Sequence, residues 1–234
     1  MHSPYPTPIS ADMLLLAYRN GIFPMADSRD DPEVFWVEPK ERAIIPLDKF
    51  HMSRSLKKVV AQNRFEVTFD RQFAEVMDAC SQPRRDHPDS WISDLIKASY
   101  RQLNGLGHAH SIECWQDGAL VGGLYGVSFD RVFCGESMFS RSTDASKVAL
   151  CWLVALMRQA GYQLLDCQFM TDHLASMGAI EISQAEYVEK LATARGDPQQ
   201  SLGKAYAKVH AAANGLRGDH SPGKLIAQSL TQTS

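Results

Sequence analysis

Hydrophobic positions change their spacing from one segment of the chain to the next, and the spacing predicts the elements. Near the start, apolar residues at helical intervals follow Ser10 and stop at Asn20-Gly21, which predicts a capped helix that leads into a loop at Ile22-Phe23-Pro24. The rest of the first third is predicted to hold strands around 34–37 and 43–45, a helix from Ser53, a strand over 65–69 and a helix from Asp70, before a polar loop over 81–90.

The middle of the chain has the most regular pattern. A helix near 93–103 is followed by strands at 111–115, 120–127 and 132–138, which predict an antiparallel meander with a turn at Asp117-Gly118. A helix over 145–160, ended by Gly161, leads to a strand at 164–168, and Ser183 with Glu186 forms a capping box for one more helix. A meander, a helix and a further strand that returns parallel to the sheet is the core order of the GNAT-type acyltransferase fold, so the predicted class is α+β.

Composition favours a globular chain of 234 residues with 44% hydrophobic and 22% charged residues. The longest apolar stretch, 148–157, is too short to cross a bilayer, and the N-terminus shows no signal peptide, so we expect a cytoplasmic protein without membrane contact. Five widely spaced cysteines predict free thiols rather than disulfides or a zinc site. After Arg195 the apolar content falls, which predicts a mobile tail over 195–234 with one helix near Tyr206.

A basic patch stands out in a chain whose net charge is −3. Seven basic residues and two acids lie between residues 40 and 64, and Arg54, Lys57 and Lys58 belong to the helix that Ser53 caps. A solvated helix face is the simpler interpretation, and a surface that binds phosphates is the alternative.

Two strand ends carry polar groups suited to chemistry. Glu136 lies in the apolar stretch 133–141, where either a salt bridge to Arg131 or Arg141 or a functional site would account for a buried carboxylate. Asp166 and Gln168 end the strand at 164–168 and share one face by the period of two, so they either orient an amine or cap the next turn.

Other chemical readings of the chain are weaker. The segment 141–146 reads R-S-T-D-A-S, without the glycines that bind the pyrophosphate of coenzyme A, although Ser146 opens a helix whose N–H groups suit an anion or an ester carbonyl. His108 and His110 lack a metal-binding partner motif and are expected to be hydrogen-bonded histidines. Cys167 is expected to face the core, on the side of the strand opposite to Asp166.

Five motifs follow one another along the chain: G-H-A-H-S-I-E at 107–113, L-V-G-G-L-Y-G-V at 120–127, F-C-G-E-S-M-F-S-R at 133–141, A-S-K at 145–147 and L-D-C-Q at 165–168. Taken together, they closely resemble the leucyl/phenylalanyl-tRNA–protein transferase family. Weaker agreement runs in order from Gly21 to about Leu191 and spares the tail.

The resemblance implies transfer of Leu or Phe from aminoacyl-tRNA to proteins that begin with Arg or Lys, which marks them for degradation. It implies a small N-terminal α/β domain over 1–62 packed on a GNAT-like catalytic domain over 63–194, and neither a metal nor coenzyme A as cofactor. Asp166, Gln168 and Glu136 match the catalytic positions, and Trp91, Leu124, Phe133, Met25 and Ser146 match or adjoin positions that bind the aminoacyl-adenosine end. The basic patch, with Arg54, Lys57 and Lys58, then becomes the guide for the acceptor stem of tRNA.

Two positions depart from the family pattern. Met25 stands where the family often has a tryptophan that stacks on the terminal adenosine, and Glu38 stands where it commonly has serine. A coenzyme A-dependent N-acyltransferase and a tRNA-binding module without catalysis are the competing hypotheses. We expect a monomer, because no unassigned amphipathic helix remains.

Overall fold

A computed structural model describes residues 7–83, 89–215 and 221–231. The helices are α1 (Ala11–Arg19), α2 (Arg54–Ala61), α3 (Phe73–Cys80), α4 (Asp94–Gly105), α5 (Ala145–Ala160), α6 (Asp172–Ala175), α7 (Gln184–Thr193), α8 (Leu202–Gly215) and α9 (Pro222–Ser229), with a 3-10 turn at Leu47–Lys49. The strands are β1 (Phe23–Met25), β2 (Phe35–Val37), β3 (Glu41–Ile45), β4 (Glu66–Phe69), β5 (Ala109–Gln116), β6 (Ala119–Phe129), β7 (Val132–Ser140), β8 (Leu164–Gln168) and β9 (Ile180–Ser183).

Seven of these strands form one mixed sheet in the order β4-β5-β6-β7-β8-β3-β9, while β1 and β2 pair separately. The pairs from β4 to β7 are antiparallel, and β8 runs parallel to β7 because α5 carries the chain back along the sheet. The predicted meander, helix and parallel strand are therefore confirmed, and the fold is α+β. The GNAT-like assignment and the division at residue 62 stay predictions.

Strand β3 comes from the first sixty residues and lies between β8 and β9, antiparallel to both. Its register sets Ala43 opposite Gln168 and Ile44 opposite Asp166. Arg42 thereby comes next to the strand end that carries Asp166 and Gln168. The N-terminal part of the chain thus supplies one wall of this region.

Helix α5 is apolar around most of its circumference, as expected for a helix buried on several sides. The sheet covers one face of α5, and α2, α8 and α9 contact it from the other side. The helix ends at Gly161, whose φ of 80° is the left-handed conformation that glycine adopts at little cost. The first turn of α5 faces the carboxyl end of β8, where the candidate site lies.

The segment predicted as a mobile tail with one helix contains two helices. Helices α8 and α9 both pack on α5, and only α8, which contains Tyr206, was expected. Leu202, Ala205 and Val209 are buried at intervals of three and four, so a few well-spaced apolar residues suffice to dock α8. A low apolar content therefore does not exclude a docked helix, because composition carries no information about the spacing of the apolar residues. Residues 216–220 and 232–234 of the predicted tail lie outside the described residues.

Short elements escaped prediction. Strand β1 occupies part of the predicted loop after Gly21, and α6 and β9 are four residues each. Segments of this length hold too few periods of a hydrophobic pattern to be recognised. Part of the predicted loop at 81–90, residues 84–88, is outside the described residues. None of the helices in the described part of the chain has the length and apolar character that crossing a bilayer requires.

Candidate functional site

A cavity of about 680 Å³ opens where the ends of β7 and β8 meet the first turn of α5. Leucines and a methionine form an apolar part of its wall, namely Leu124, Met138, Leu150, Leu153 and Leu165. Polar side chains form another part, namely Glu136, Ser146, Gln168, Thr171 and His173. Such a division into an apolar pocket and a few placed polar groups is typical of a small-molecule or cofactor site.

Glu136 is the only acid that lines the cavity among the described residues. Its side chain accepts hydrogen bonds from the Tyr18 hydroxyl at 2.7 Å, the Gln168 amide at 3.0 Å and the Tyr100 hydroxyl at 3.3 Å. Burial raises the pKa of Glu136 to about 7, although these hydrogen bonds pull it down. A carboxyl group that titrates near neutrality can bind a cation or accept a proton at working pH.

Gln168 ends β8 in an unusual conformation. Its φ of 63° lies in the left-handed region, which non-glycine residues rarely adopt and which persists only where the surroundings fix it. The backbone N–H of Gln168 donates to Oδ1 of Asp166 at 2.8 Å, and its side-chain amide reaches Glu136. This turn of the backbone brings the Gln168 side chain into the cavity wall.

Asp166 lies behind that wall and is fully buried. The Arg42 guanidinium donates two hydrogen bonds to the Asp166 carboxylate, at 2.9 and 2.7 Å, and the Tyr187 hydroxyl donates a third at 2.9 Å. The Arg42 side chain is itself fully buried between the rings of Phe23 and Tyr187. Burial lowers the pKa of Arg42, but the charge and hydrogen bonds of Asp166 outweigh this effect and leave the pKa raised. Asp166 is thus occupied within the protein and does not line the cavity.

The remaining predicted site residues divide between wall, core and surface. Met25, Trp91, Leu124 and Ser146 line the cavity, whereas Phe133 is buried in the core and is not part of the lining. The basic residues of α2 are exposed and lie outside the lining, namely Arg54, Lys57 and Lys58.

One residue of the predicted basic patch, Arg42, does not lie on the surface. It counts toward the basic patch between residues 40 and 64, yet it is buried against Asp166 and adds no charge to the surface. An arginine within the apolar run that precedes Pro46 was the available signal, because a buried guanidinium requires a carboxylate partner.

Three further residues at the site escaped prediction: Tyr18, Tyr100 and His173. The tyrosines lie on the apolar stripes of α1 and α4, where a sequence cannot distinguish a packing ring from a placed hydroxyl. His173 lines the cavity, and burial together with Lys147 lowers its pKa. The imidazole is therefore neutral near pH 7.

The proposed salt bridge from Glu136 to Arg131 or Arg141 is wrong. Arg131 donates to backbone carbonyls of Thr193 and Arg195, and Arg141 donates to that of Leu120. Cys167 was expected to face the core, but it also lines the cavity; burial raises its pKa, so the thiol stays protonated. His108 and His110 are hydrogen-bonded as expected, to the Ser128 carbonyl and the Asp70 carboxylate.

Comparison with known proteins gives the family of this chain. A family model described as Leucyl/phenylalanyl-tRNA protein transferase matches residues 44–192, and the model of that family's N-terminal domain matches residues 7–40. The chain belongs to the leucyl/phenylalanyl-tRNA–protein transferase family. This confirms the resemblance carried by the motifs and makes the chain an aminoacyltransferase.

Leucyl/phenylalanyl-tRNA–protein transferases of known name are similar along most of the chain. The one from Novosphingobium aromaticivorans is 55% identical, and the match covers 98% of each protein. The one from Zymomonas mobilis is 59% identical over 80% of this chain and 69% of the relative. Among solved structures, a functionally unknown conserved protein from Staphylococcus epidermidis matches 77% of this chain and 67% of its own with a TM-score of 0.40 and 11% identity.

Proposed function

We propose that this transferase moves leucine or phenylalanine from aminoacyl-tRNA to the α-amino group of a protein that begins with Arg or Lys. The observation that carries the proposal is the hydrogen bond of 3.0 Å between Gln168 and Glu136 in the wall of a cavity that also has an apolar part. Such a wall offers a carboxylate and an amide to an amine, beside a pocket for an apolar side chain. The wider role is to mark acceptor proteins for degradation in the cytoplasm.

The apolar wall suits the donor amino acid. Leu124, Leu150 and Leu165 are almost fully buried and face the cavity, whose volume of about 680 Å³ is large enough to take a leucine or phenylalanine side chain. Met25 and Trp91 line the same cavity and would pack against the terminal adenosine of the tRNA. Met25 offers a flexible surface in place of an indole, so we expect the base to be held mainly by Trp91.

The transfer needs no external energy source, because the aminoacyl ester is already activated. The acceptor nitrogen attacks the ester carbonyl carbon, a C–N bond forms, and the bond from that carbon to the ribose oxygen of tRNA breaks. The attacking form is the free amine, so an acceptor bound as ammonium first releases one proton to water. The second proton, lost by the nitrogen as the C–N bond forms, ends on the ribose oxygen. Holding the amine beside the ester supplies much of the rate, since orientation converts a bimolecular step into an intramolecular one.

The polar residues divide this work. Glu136 binds the ammonium group or the basic side chain of the acceptor, and Gln168 orients the amine toward the ester. Asp166 acts through Gln168: it accepts the Gln168 N–H and holds the left-handed turn that aims the amide. Asp166 is a positioning residue in this scheme, because the Arg42 pair shields it from any substrate.

The tRNA body would be bound by charge. Arg54, Lys57 and Lys58 are exposed on α2, and Ser53 caps the helix that presents them. Contacts of this kind with phosphates weaken as salt rises and depend little on sequence. We propose that a GNAT-like domain over 63–194 carries most of the cavity, to which the N-terminal part adds Met25, and that the protein acts as a monomer.

The test is transfer of labelled leucine from charged tRNA to a peptide with N-terminal Lys, with an N-terminal Ala peptide as control. We expect product with the Lys peptide alone. Gln168→Ala should lower kcat/KM at least about 100-fold, which corresponds to the loss of one well-placed polar group at a reacting centre. Arg71→Ala, which alters an exposed ion pair with Glu66, is the matched control and should retain activity. Binding of charged tRNA without transfer would contradict the proposal and favour a binding module.

A further inference from the structure

Two tyrosines from separate helices converge on the carboxylate of Glu136. The Tyr18 hydroxyl, from α1, reaches Oε1, and the Tyr100 hydroxyl, from α4, reaches Oε2. The two hydroxyls also contact each other. Both tyrosines are fully buried, so they do not line the cavity and would touch no substrate.

Glu136 forms no ion pair within the described part of the chain, and Arg141, which lines the same cavity, donates to the Leu120 carbonyl instead. The third donor to Glu136 is the neutral amide of Gln168. The titratable and charged groups around it are Tyr18 on α1, Tyr100 on α4, Tyr125 on β6, Cys134 on its own strand, and Asp166 on β8 with Arg42 on β3.

The surroundings of Glu136 shift its pKa in opposite directions. Burial and the charge of Asp166 raise the pKa of Glu136, whereas hydrogen bonds from Tyr18, Gln168 and Tyr100 lower it. Burial and the Glu136 charge raise the pKa of both tyrosines, so each remains a protonated donor. With no cation to compensate the charge, these neutral donors decide how much of the carboxyl group is ionised near pH 7.

We infer that Tyr18 and Tyr100 are positioning residues that keep the Glu136 carboxylate ionised and aimed into the cavity, ready for the cationic group of the acceptor. The inference deepens the proposed function, because it rests on Glu136 being the group that binds the acceptor. The inference also gives α1 a part in the reaction. Of the three hydrogen bonds to Glu136, the one from Tyr18 is the one that α1 supplies.

The inference is tested by titrating Glu136 itself. In protein labelled with ¹³C-carboxyl glutamate, the Glu136 resonance is assigned by its absence from Glu136→Gln, and its midpoint should lie at about 7. Tyr18→Phe should move the midpoint up by about one pH unit, the effect of one hydrogen bond to a charged group. Tyr100→Phe should move it less, since its oxygen is 3.3 Å from the carboxylate rather than 2.7 Å.

Tyr162→Phe is the matched control. It removes another buried hydroxyl, which bonds the Ser128 hydroxyl at 2.7 Å, and should leave the Glu136 midpoint in place. An unmoved midpoint in Tyr18→Phe would overturn the inference, as would one in Tyr100→Phe where Tyr18→Phe does not fold, and so would an equal shift in Tyr162→Phe. Because two separate variants are titrated, poor folding of either one still leaves a decisive measurement.

Kinetics separate the inference from the function on which it rests. At pH 7, a shift of one unit lowers the ionised fraction of Glu136 from about one half to about one tenth, so KM for the Lys peptide should rise about fivefold in Tyr18→Phe. The value of kcat should change little, and the KM difference should vanish above pH 9. If the unsubstituted enzyme transfers nothing while the midpoints shift as expected, the proposed function has failed and the tyrosines still control the charge of Glu136.

Discussion

Two carboxylates on neighbouring strands, Asp166 on β8 and Glu136 on β7, are both buried and yet have opposite surroundings. Asp166 is paired with Arg42 through two hydrogen bonds and does not line the cavity. Glu136 has only uncharged donors and lines the cavity. The charge of Asp166 is therefore neutralised within the fold, whereas the charge of Glu136 is left for a ligand.

A third carboxylate shows that uncharged donors alone do not make a site. Glu113 is fully buried on β5 and accepts hydrogen bonds from Thr68, Ser111 and the backbone N–H of Gln72. It links β4, β5 and the start of α3, and it does not line the cavity. What distinguishes Glu136 is therefore the combination of neutral donors with an open space in front of them.

The largest expected effect comes from removing the cation beside Asp166. Arg42→Met leaves a fully buried carboxylate without its partner, which costs about 3–5 kcal/mol in the free energy of unfolding. Transfer activity should be lost as well, because the turn at Gln168 depends on Asp166. Urea unfolding followed by tryptophan fluorescence measures the first effect, and the transfer assay at a temperature where the variant is folded measures the second.

An exposed ion pair provides the comparison for that experiment. Arg71→Met breaks the contact of 3.0 Å with Glu66, where both side chains are more than half exposed, and should change stability by less than about 1 kcal/mol. If Arg42→Met were equally mild, the Asp166 carboxylate would not depend on Arg42 for its place in the fold, and the contrast with Glu136 would disappear.

The next largest effect is an increase in stability, expected for the variant Glu136→Gln. Glu136 has a pKa of about 7 in the folded protein and about 4.5 when unfolded, so the folded state binds more protons between these values and loses stability as pH rises through this window. Above pH 7 the full cost is present, on the order of 3 kcal/mol. Glu136→Gln removes the charge and should raise the free energy of unfolding by about 1–3 kcal/mol at pH 8 while lowering transfer.

The pH dependence makes this prediction sharp. Glutamine does not titrate, so the stability advantage of Glu136→Gln should shrink steadily from pH 7 to pH 4.5. Urea midpoints at four pH values in this range measure it. A variant that is less stable than the parent at pH 8 would mean that Glu136 contributes favourably in its ionised form, as a paired carboxylate does.

The parts of this arrangement that could be predicted from sequence are those with a strong local pattern. The bounds of α5 and β8 follow from a long apolar run with a glycine stop, and the capping box of α7 from Ser183 and Glu186. The motifs around Glu136 and Gln168 can likewise be recognised from the sequence without any knowledge of their geometry. Each of these signals lies within about twenty residues of chain.

What could not be predicted depends on contacts between distant segments. Arg42 and Asp166 are 124 positions apart, and only the placement of β3 beside β8 joins them. Tyr18 and Glu136 are 118 positions apart. The period of two predicted that Asp166 and Gln168 share one face of β8. The positive φ of Gln168 instead turns the Gln168 side chain into the cavity wall, while Asp166 stays outside the lining. Local periodicity carries no information about any of these relations.

The smallest expected effect separates two of the side chains that bind Asp166, Tyr187 and Arg42. Tyr187→Phe removes one hydroxyl that donates at 2.9 Å but keeps the ring that stacks on the Arg42 guanidinium, so we expect a loss of about 1 kcal/mol in stability. Since Arg42 still satisfies both carboxylate oxygens, transfer should stay within about threefold of the parent. Urea unfolding and the transfer assay, read beside Tyr18→Phe, measure both quantities. A loss as large as that of Arg42→Met would show that the tyrosine, rather than the arginine, fixes the carboxylate. In that case both carboxylates of the site would depend on tyrosine hydroxyls, and the ion pair would matter only for packing.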